Sequence, residues 1–355
     1  MTTKDLSHKF GGRGTNQNPA GRFEKIEYVP EPDDDRENDT RPATEFFIDT
    51  SKSIISYNES PDIYWDASLN PYRGCEHGCA YCYARPSHEY LDLSAGLDFE
   101  TKIFIKPDAP KLLRETLSSK KWKPQIIIFS GNSDCYQPVE KKLKLTRGCL
   151  EVLYEFRNPV HIVTKNKLVT RDIDILSKMA EKNLTAVFFS ITTLNNRLAS
   201  VLEPQTTKPK LKLKAITELT EAGIPTGVLV APVIPGLTDS EIPEILKSAK
   251  EAGAKHAGII MLRLPYGVKD LFLNWLAEYF PDRQQKVINR LNDLFGGKLY
   301  DSNFDVRRKG KGPYAEQIND IFKLSCKKLG INKEQPELST AYFTNPNKKQ
   351  MDLFD

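Results

Sequence analysis

Cys75, Cys79 and Cys82 fall in a single loop, Asn70-Pro-Tyr-Arg-Gly-Cys75-Glu-His-Gly-Cys79-Ala-Tyr-Cys82-Tyr83, at the spacing C-x3-C-x2-C. Thiolates this close in sequence can wrap one face of an iron–sulfur cube, whereas a complete [4Fe–4S] site takes four, and no fourth cysteine lies nearby. One iron would therefore be left open. An open, Lewis-acidic iron on a strongly reducing cluster is what S-adenosylmethionine (SAM) needs to chelate through its amino and carboxylate groups and accept an electron into its sulfonium C–S bond. Two plainer readings compete. A structural zinc site would want a fourth Cys or His, and His77, inside the first gap, is poorly placed to close a tetrahedron. A disulfide framework fits badly with a long chain that has six cysteines and a polar opening without a secretory leader.

The loop resembles the signature of the radical-SAM superfamily, in which the residue before the third cysteine is typically aromatic; Tyr81 holds that place. With Tyr83 following, the ending Cys79-Ala-Tyr81-Cys82-Tyr83 is similar to the branch around spore photoproduct lyase, the DNA-repair photolyase-like proteins. The resemblance runs from about Phe46 to about Gly330. It implies a [4Fe–4S] cluster on Cys75, Cys79 and Cys82, reductive cleavage of SAM and a 5′-deoxyadenosyl radical that abstracts hydrogen from a substrate. It is specific for cofactor and cleavage chemistry and leaves the substrate open. Damaged or modified nucleic acid leads. A small molecule, a protein side chain, or a non-catalytic iron–sulfur redox sensor are the alternatives.

Such a loop needs a scaffold, and the chain supplies a repeating one. Apolar runs at Ile126–Phe129, Val160–Val163, Ala186–Phe189, Thr226–Ala231 and Gly258–Leu262 alternate with helical stretches at Lys111–Leu117, Leu150–Phe156, Ile175–Ala180, Leu213–Glu221 and Ile242–Ala252. Short buried strands alternating with helices predict parallel β/α units with right-handed crossovers. Counting a strand before the cysteine loop gives about six units: an α/β fold with an incomplete parallel (β/α)6 barrel and a helical C-terminal extension. The expected organisation is an extended, Gly/Pro-punctuated arm over 1–45, the partial barrel over 46–269, a helical cover over 270–332 (Asp270–Leu294, then Tyr314–Leu329) and a polar tail over 333–355.

Parallel barrels carry their chemistry at the C-terminal ends of the strands. The turn Ser130-Gly131-Asn132-Ser133-Asp134-Cys135 stands where the resemblance places a Gly-Gly-Glu turn that meets the SAM amino group; Gly131 is present and the Glu is not. By the same resemblance Lys165 pairs with the SAM carboxylate, Ser190 and Thr192 serve ribose or carboxylate, and Ile234 and Gly236 lie along adenine. As residues alone, Lys165 reads equally as a strand-end surface lysine and the hydroxyls as loop caps. Tyr81 would lay its face on adenine, and Tyr83 is implied in hydrogen-atom relay. Cys135 is either a hydrogen donor to a product radical or a packing residue. Cys149 and Cys326 fall on apolar helical faces and read as core.

The segment Arg307-Arg308-Lys309-Gly310-Lys311 sets four cations in five residues of a Gly-containing loop, a phosphate cradle or a solvated charge run. The chain ends in Gln350-Met351-Asp352-Leu353-Phe354-Asp355, which resembles the peptide by which bacterial replication and repair proteins engage the sliding clamp; an inert polar tail is the alternative. The expected partners are nucleic acid, that clamp through Gln350–Phe354, and an electron donor of the flavodoxin or ferredoxin type. In a chain of 355 residues, 39% hydrophobic content is enough for a barrel-sized core, and a net charge of +4 permits a phosphate-bearing partner without requiring one. No apolar run approaches a membrane span, so the cytoplasm is the expected compartment.

Overall fold

In the computed structural model, residues 12–23, 42–63, 65–334 and 337–346 are described. The strands in chain order are β1 (Glu45–Ile48), β2 (Ile55–Tyr57), β3 (Ala67–Leu69), β4 (Tyr72–Arg73), β5 (Lys102–Ile105), β6 (Ile127–Phe129), β7 (Val160–Thr164), β8 (Thr185–Ser190), β9 (Thr226–Val233) and β10 (His256–Met261). The five apolar runs became β6 to β10. With β3 they form one sheet in the order β10-β9-β8-β7-β6-β3-β2, parallel throughout except for the antiparallel β2–β3 edge. Strand order follows chain order, so each helical crossover advances the sheet by one strand. The two outermost strands, β2 and β10, do not pair, which leaves an incomplete barrel.

The strands are apolar because both faces are covered. All six residues of β8 are buried, and the helices Leu145–Phe156, Ile173–Ala180, Pro209–Glu221 and Ile242–Glu251 turn buried stripes onto the outer face. Beyond β10, helices Val268–Tyr279, Pro281–Phe295 and Pro313–Leu329 form the C-terminal cover, the last packing on Ile242–Glu251. Among the described residues no helix is long and apolar enough to cross a membrane.

A second sheet, β1-β5-β4, escaped the sequence reading. Its strands are two to four residues long, and β1 leaves Phe46, Phe47 and Ile48 exposed. Its role is positional, because β4 feeds directly into the cysteine loop. Part of the expected N-terminal arm also has a definite place. Residues 12–23 form no strand or helix, yet Leu97 N–H donates to Gln17 O (2.9 Å), Ser94 Oγ to Pro19 O (2.8 Å) and Gly14 N–H to Glu100 Oε2 (2.9 Å). A methyl group at Gly14 would sit 1.7 Å from Gly78 O, so only glycine allows this approach. The clamp-like ending at 350–355 lies outside the described residues.

Candidate active site

The cysteine loop is braced by contacts with the rest of the chain. Cys75 N–H donates to Phe99 O (2.9 Å), Ala80 N–H to Leu202 O (3.0 Å), and Gln205 N–H to His77 O (3.2 Å). Arg85, fully buried, gives two bonds to Cys79 O (3.1 and 2.8 Å), reaches Ala95 O (3.3 Å) and Gly96 O (2.8 Å), and pairs with the buried carboxylate of Glu100. A guanidinium in this setting is satisfied at every edge, which makes it an internal brace rather than a charge looking for a ligand.

Cys75, Cys79 and Cys82 are all free thiols; the first two are buried and the third is partly so. Burial pushes all three above the ordinary thiol range; the Asp134 charge adds to this at Cys75 and the Glu203 charge at Cys79, while Arg85 and Lys165 oppose it at Cys82. Thiols of this kind ionise when a cationic centre takes the place of their protons. The donor set fits an iron–sulfur cube: three unbridged thiols on one braced loop, beside the cations Lys165 and Arg85. Zinc would need a fourth ligand, and His77, the alternative in the same loop, is engaged elsewhere, with Nδ1 3.5 Å from Asp134 and Nε2 3.3 Å from Asn166 Nδ2.

The loop opens onto a cleft whose walls come from the C-terminal ends of β6 to β10. Tyr81 and Tyr83 project from the cysteine loop into its lining, and Ser130, Gly131, Lys165 and Ser190 join them. Those six residues are the part of the expected constellation that the fold brings together. Behind Tyr81 lies a buried ionic group. The Tyr81 hydroxyl donates to Glu203 Oε1, Thr192 Oγ1 is 2.6 Å from the same oxygen, and Lys212 Nζ lies 3.0 Å from Glu203 Oε2 and 3.1 Å from Ser190 O. Burial opposes ionisation of Glu203, yet Lys212, Lys165 and the hydroxyls of Thr192 and Tyr81 outweigh it and pull the carboxyl down to about 2. Burial would likewise lower the Lys165 ammonium, but Glu203, Cys79, Asp134 and Cys82 hold it above its ordinary value. Lys165 therefore faces the cleft as a cation, 5.9 Å from the centre of the Tyr81 ring.

The remaining expected residues lie elsewhere. Asp134 commits its carboxylate to Thr164 Oγ1, Lys165 N and Tyr136 N, each at 2.8 Å, tying the β6 and β7 loops together. Asn132 donates to Ser87 Oγ (3.2 Å) and accepts nothing from the cleft side, where it has no lining surface. Thr192 is buried with Glu203. Ile234 is fully buried, and Gly236, at φ +77°, faces Lys286 and Arg290; the β9 end lines the cleft through Leu229, Ala231 and Pro232 instead. Cys135 is fully buried behind Ser130, whose Oγ accepts from Cys135 N–H (2.9 Å), and it is not among the residues that line the cleft.

Several cleft and support residues went unread in the sequence. Trp65 and Arg263 line the cleft, and Glu203 and Lys212 support it. Lys212 did leave a signal: it occupies a buried position of Pro209–Glu221 in register with Ala215, Ile216 and Leu219, a charge on an apolar stripe. The basic loop divides. Arg307 pairs with Asp62 through Nε (2.7 Å) and Nη2 (2.5 Å), Arg308 turns to the cleft, and Lys309 and Lys311 are exposed.

Over 230 residues the chain is 33% identical to an uncharacterized protein of Mycobacterium tuberculosis, covering 64% of this chain and 66% of that relative's length. Over 267 residues it is 22% identical to a radical SAM Nalpha-GlyT isomerase of Pseudomonas phage M6, covering 74% of this chain and 51% of that one. Its fold matches spore photoproduct lyase, solved in complex with dinucleoside spore photoproduct, with a TM-score of 0.58 at 14% identity over 81% of this chain and 80% of the lyase. Residues 69–249 match the model of the radical SAM superfamily, about half of the chain, with the three cysteines and the strand ends β6 to β9 inside the matched region, and to that superfamily of enzymes, whose cofactors are SAM and a [4Fe–4S] cluster, the chain belongs.

Proposed function

We propose that Cys75, Cys79 and Cys82 hold the cluster and that SAM occupies the cleft beside them, so that hydrogen is abstracted from a substrate at the barrel mouth. The observation that carries this reading is that Tyr81 and Tyr83 belong at once to the cysteine loop and to the lining of the cleft at the strand ends. When bound and reduced, the cluster supplies the electron that splits SAM into methionine and a 5′-deoxyadenosyl radical. The chain's own residues bind and orient. Lys165 offers a cation to the SAM carboxylate, Gly131 and Ser190 offer backbone and hydroxyl groups, and Tyr81, its hydroxyl fixed on Glu203, holds a ring face for adenine. Tyr83, 44% exposed with its hydroxyl donating to Gly131 O (3.0 Å), is the hydroxyl placed to pass a hydrogen atom at the mouth.

The proposed substrate is a damaged or modified nucleoside in nucleic acid. It is supported by the fold shared with a lyase solved with a dinucleoside photoproduct and by the cationic, aromatic cleft. An electron donor of the flavodoxin or ferredoxin type and a sliding clamp engaged through Gln350–Phe354 complete the proposed partners. The test is anaerobic reconstitution followed by reduction with dithionite in the presence of SAM. Each of Cys75→Ala, Cys79→Ala and Cys82→Ala should lose both the cluster absorbance and 5′-deoxyadenosine formation; SAM cleavage that survives in any one of them refutes the assignment.

A further inference from the structure

Three cations, Lys165, Arg263 and Arg308, line the cleft, and among the described residues no carboxylate does. SAM brings a single carboxylate, which the reading above gives to Lys165. Two guanidinium groups stand on the β10 side, and Arg263 is the informative one. Its Nε is buried and makes no hydrogen bond, and no carboxylate among the described residues pairs with it. What holds it is a ring: the guanidinium carbon sits 4.7 Å from the centre of Tyr83, which is itself anchored by its hydroxyl to Gly131 O. A stack of this kind fixes direction while leaving the N–H fork without an acceptor. A part-buried donor without an acceptor costs free energy, and within a binding cleft it marks a place for one.

Arg308 is brought alongside by a different device. Arg307 takes up the carboxylate of Asp62 with a bidentate pair, and Arg308 donates to the main-chain oxygen of the same residue. Met261 N–H donates to Arg308 O (2.9 Å), which pins this loop to the last strand of the barrel and sets Arg308 in the cleft wall with Arg263.

We propose that Arg263, seated on Tyr83 and joined by Arg308, receives a phosphate oxyanion of the substrate on the β10 side of the cleft. The proposal rests on the reading of the cleft as the place of hydrogen abstraction and names the charge that its substrate carries. A planar fork meeting two phosphate oxygens would satisfy the donors that the protein leaves open. A nucleic-acid strand and a free nucleotide both present this group.

The experiment uses the full chain, reconstituted anaerobically, with four probes: inorganic phosphate, thymidine 5′-monophosphate, a labelled ten-nucleotide single strand, and the same strand with an uncharged methylphosphonate backbone. Binding is read by anisotropy, directly or by competition, across a salt series. The parent should prefer the charged strand over the neutral one by about tenfold or more. Arg263→Gln should cut that preference about tenfold and lower the salt slope by about one phosphate contact. Arg263→Lys should fall between, keeping charge without the fork. Competition by the mononucleotide or by inorganic phosphate as strong as by the strand assigns the site to a free phosphate ligand, and competition by the strand alone assigns it to nucleic acid. Either supports the proposal. Equal preference in parent and Arg263→Gln, no charge-dependent binding by the parent, or a loss in Arg263→Gln of SAM affinity alone overturns it. Arg308→Gln, judged by the same ratio, replaces Arg263→Gln if the latter fails to take up its cluster. SAM cleavage by the same parent preparation separates the two ideas: cleavage without phosphate binding defeats only this inference, and phosphate binding through Arg263 without cleavage defeats only the reading beneath it.

Discussion

Glu203→Gln isolates the buried ionic group behind Tyr81, because the amide keeps the shape of the carboxyl and removes only its charge. Glu203 and Lys212 are each 2% exposed, so neither is relieved by solvent. A carboxyl pulled from its ordinary value of 4.5 to about 2 is stabilised on folding by about 3 kcal/mol at neutral pH. Breaking a buried pair from one side, which strands Lys212, typically costs about 3–5 kcal/mol. Denaturant unfolding of the cluster-free protein at pH 7 should therefore show Glu203→Gln destabilised by about 3 kcal/mol. Adding Lys212→Met should recover most of the loss, since the Gln–Met pair is uncharged and leaves no stranded ammonium. Because the folded pKa lies below the unfolded one, this stabilisation is present above about pH 4.5 and is lost as pH falls toward 2; the variant should lack that part of the parent's acid profile. A single variant within 1 kcal/mol of the parent, or a double variant no better than the single, would refute the reasoning.

Cys135→Ala should cost about 1 kcal/mol in a chemical melt and leave cluster content, SAM cleavage and product identity as in the parent; an altered product would make the thiol a hydrogen donor after all. His88 and His161 are both lowered to about 4, by burial first in each case, so the unfolded chain takes protons before the folded one does. Thermal stability should consequently fall as pH drops from about 6.5 toward 4, and His161→Phe should flatten that slope; a flat parent profile would contradict the burial argument. Deleting residues 350–355 should abolish association with a bacterial sliding clamp in a titration of the purified proteins while SAM cleavage persists. No association by the intact chain would remove the clamp from the proposal.

The barrel was legible because parallel strands covered on both faces must be apolar throughout, and β6 to β10 read as such runs with helices between them. The cysteine spacing announced its own chemistry for the same local reason. The second sheet was hidden because β1 exposes its aromatic residues and β4 has two residues, so neither shows a period. Lys212 was readable as a charge on an apolar stripe and was passed over. Glu203 was not readable: it follows a short helix, and its partners Tyr81 and Lys212 lie on opposite sides of it in the chain. Arg308 was visible as one cation of the basic loop, but its turn into the cleft was not, since it hangs on a bond to Asp62, 246 residues earlier, that exists only once the chain has folded.

The brace at Arg85 bears on how this protein comes into service. Zinc fingers fold around their metal and fall apart without it. Here the carbonyls of Cys79, Ala95 and Gly96 converge on one guanidinium, itself neutralised by Glu100, and Glu100 in turn fastens the N-terminal segment at Gly14. The curvature of the cysteine loop is thus set by a permanent internal cation. The seat is held by contacts that use none of the three thiol side chains, a support that a fold nucleated by its metal does not have.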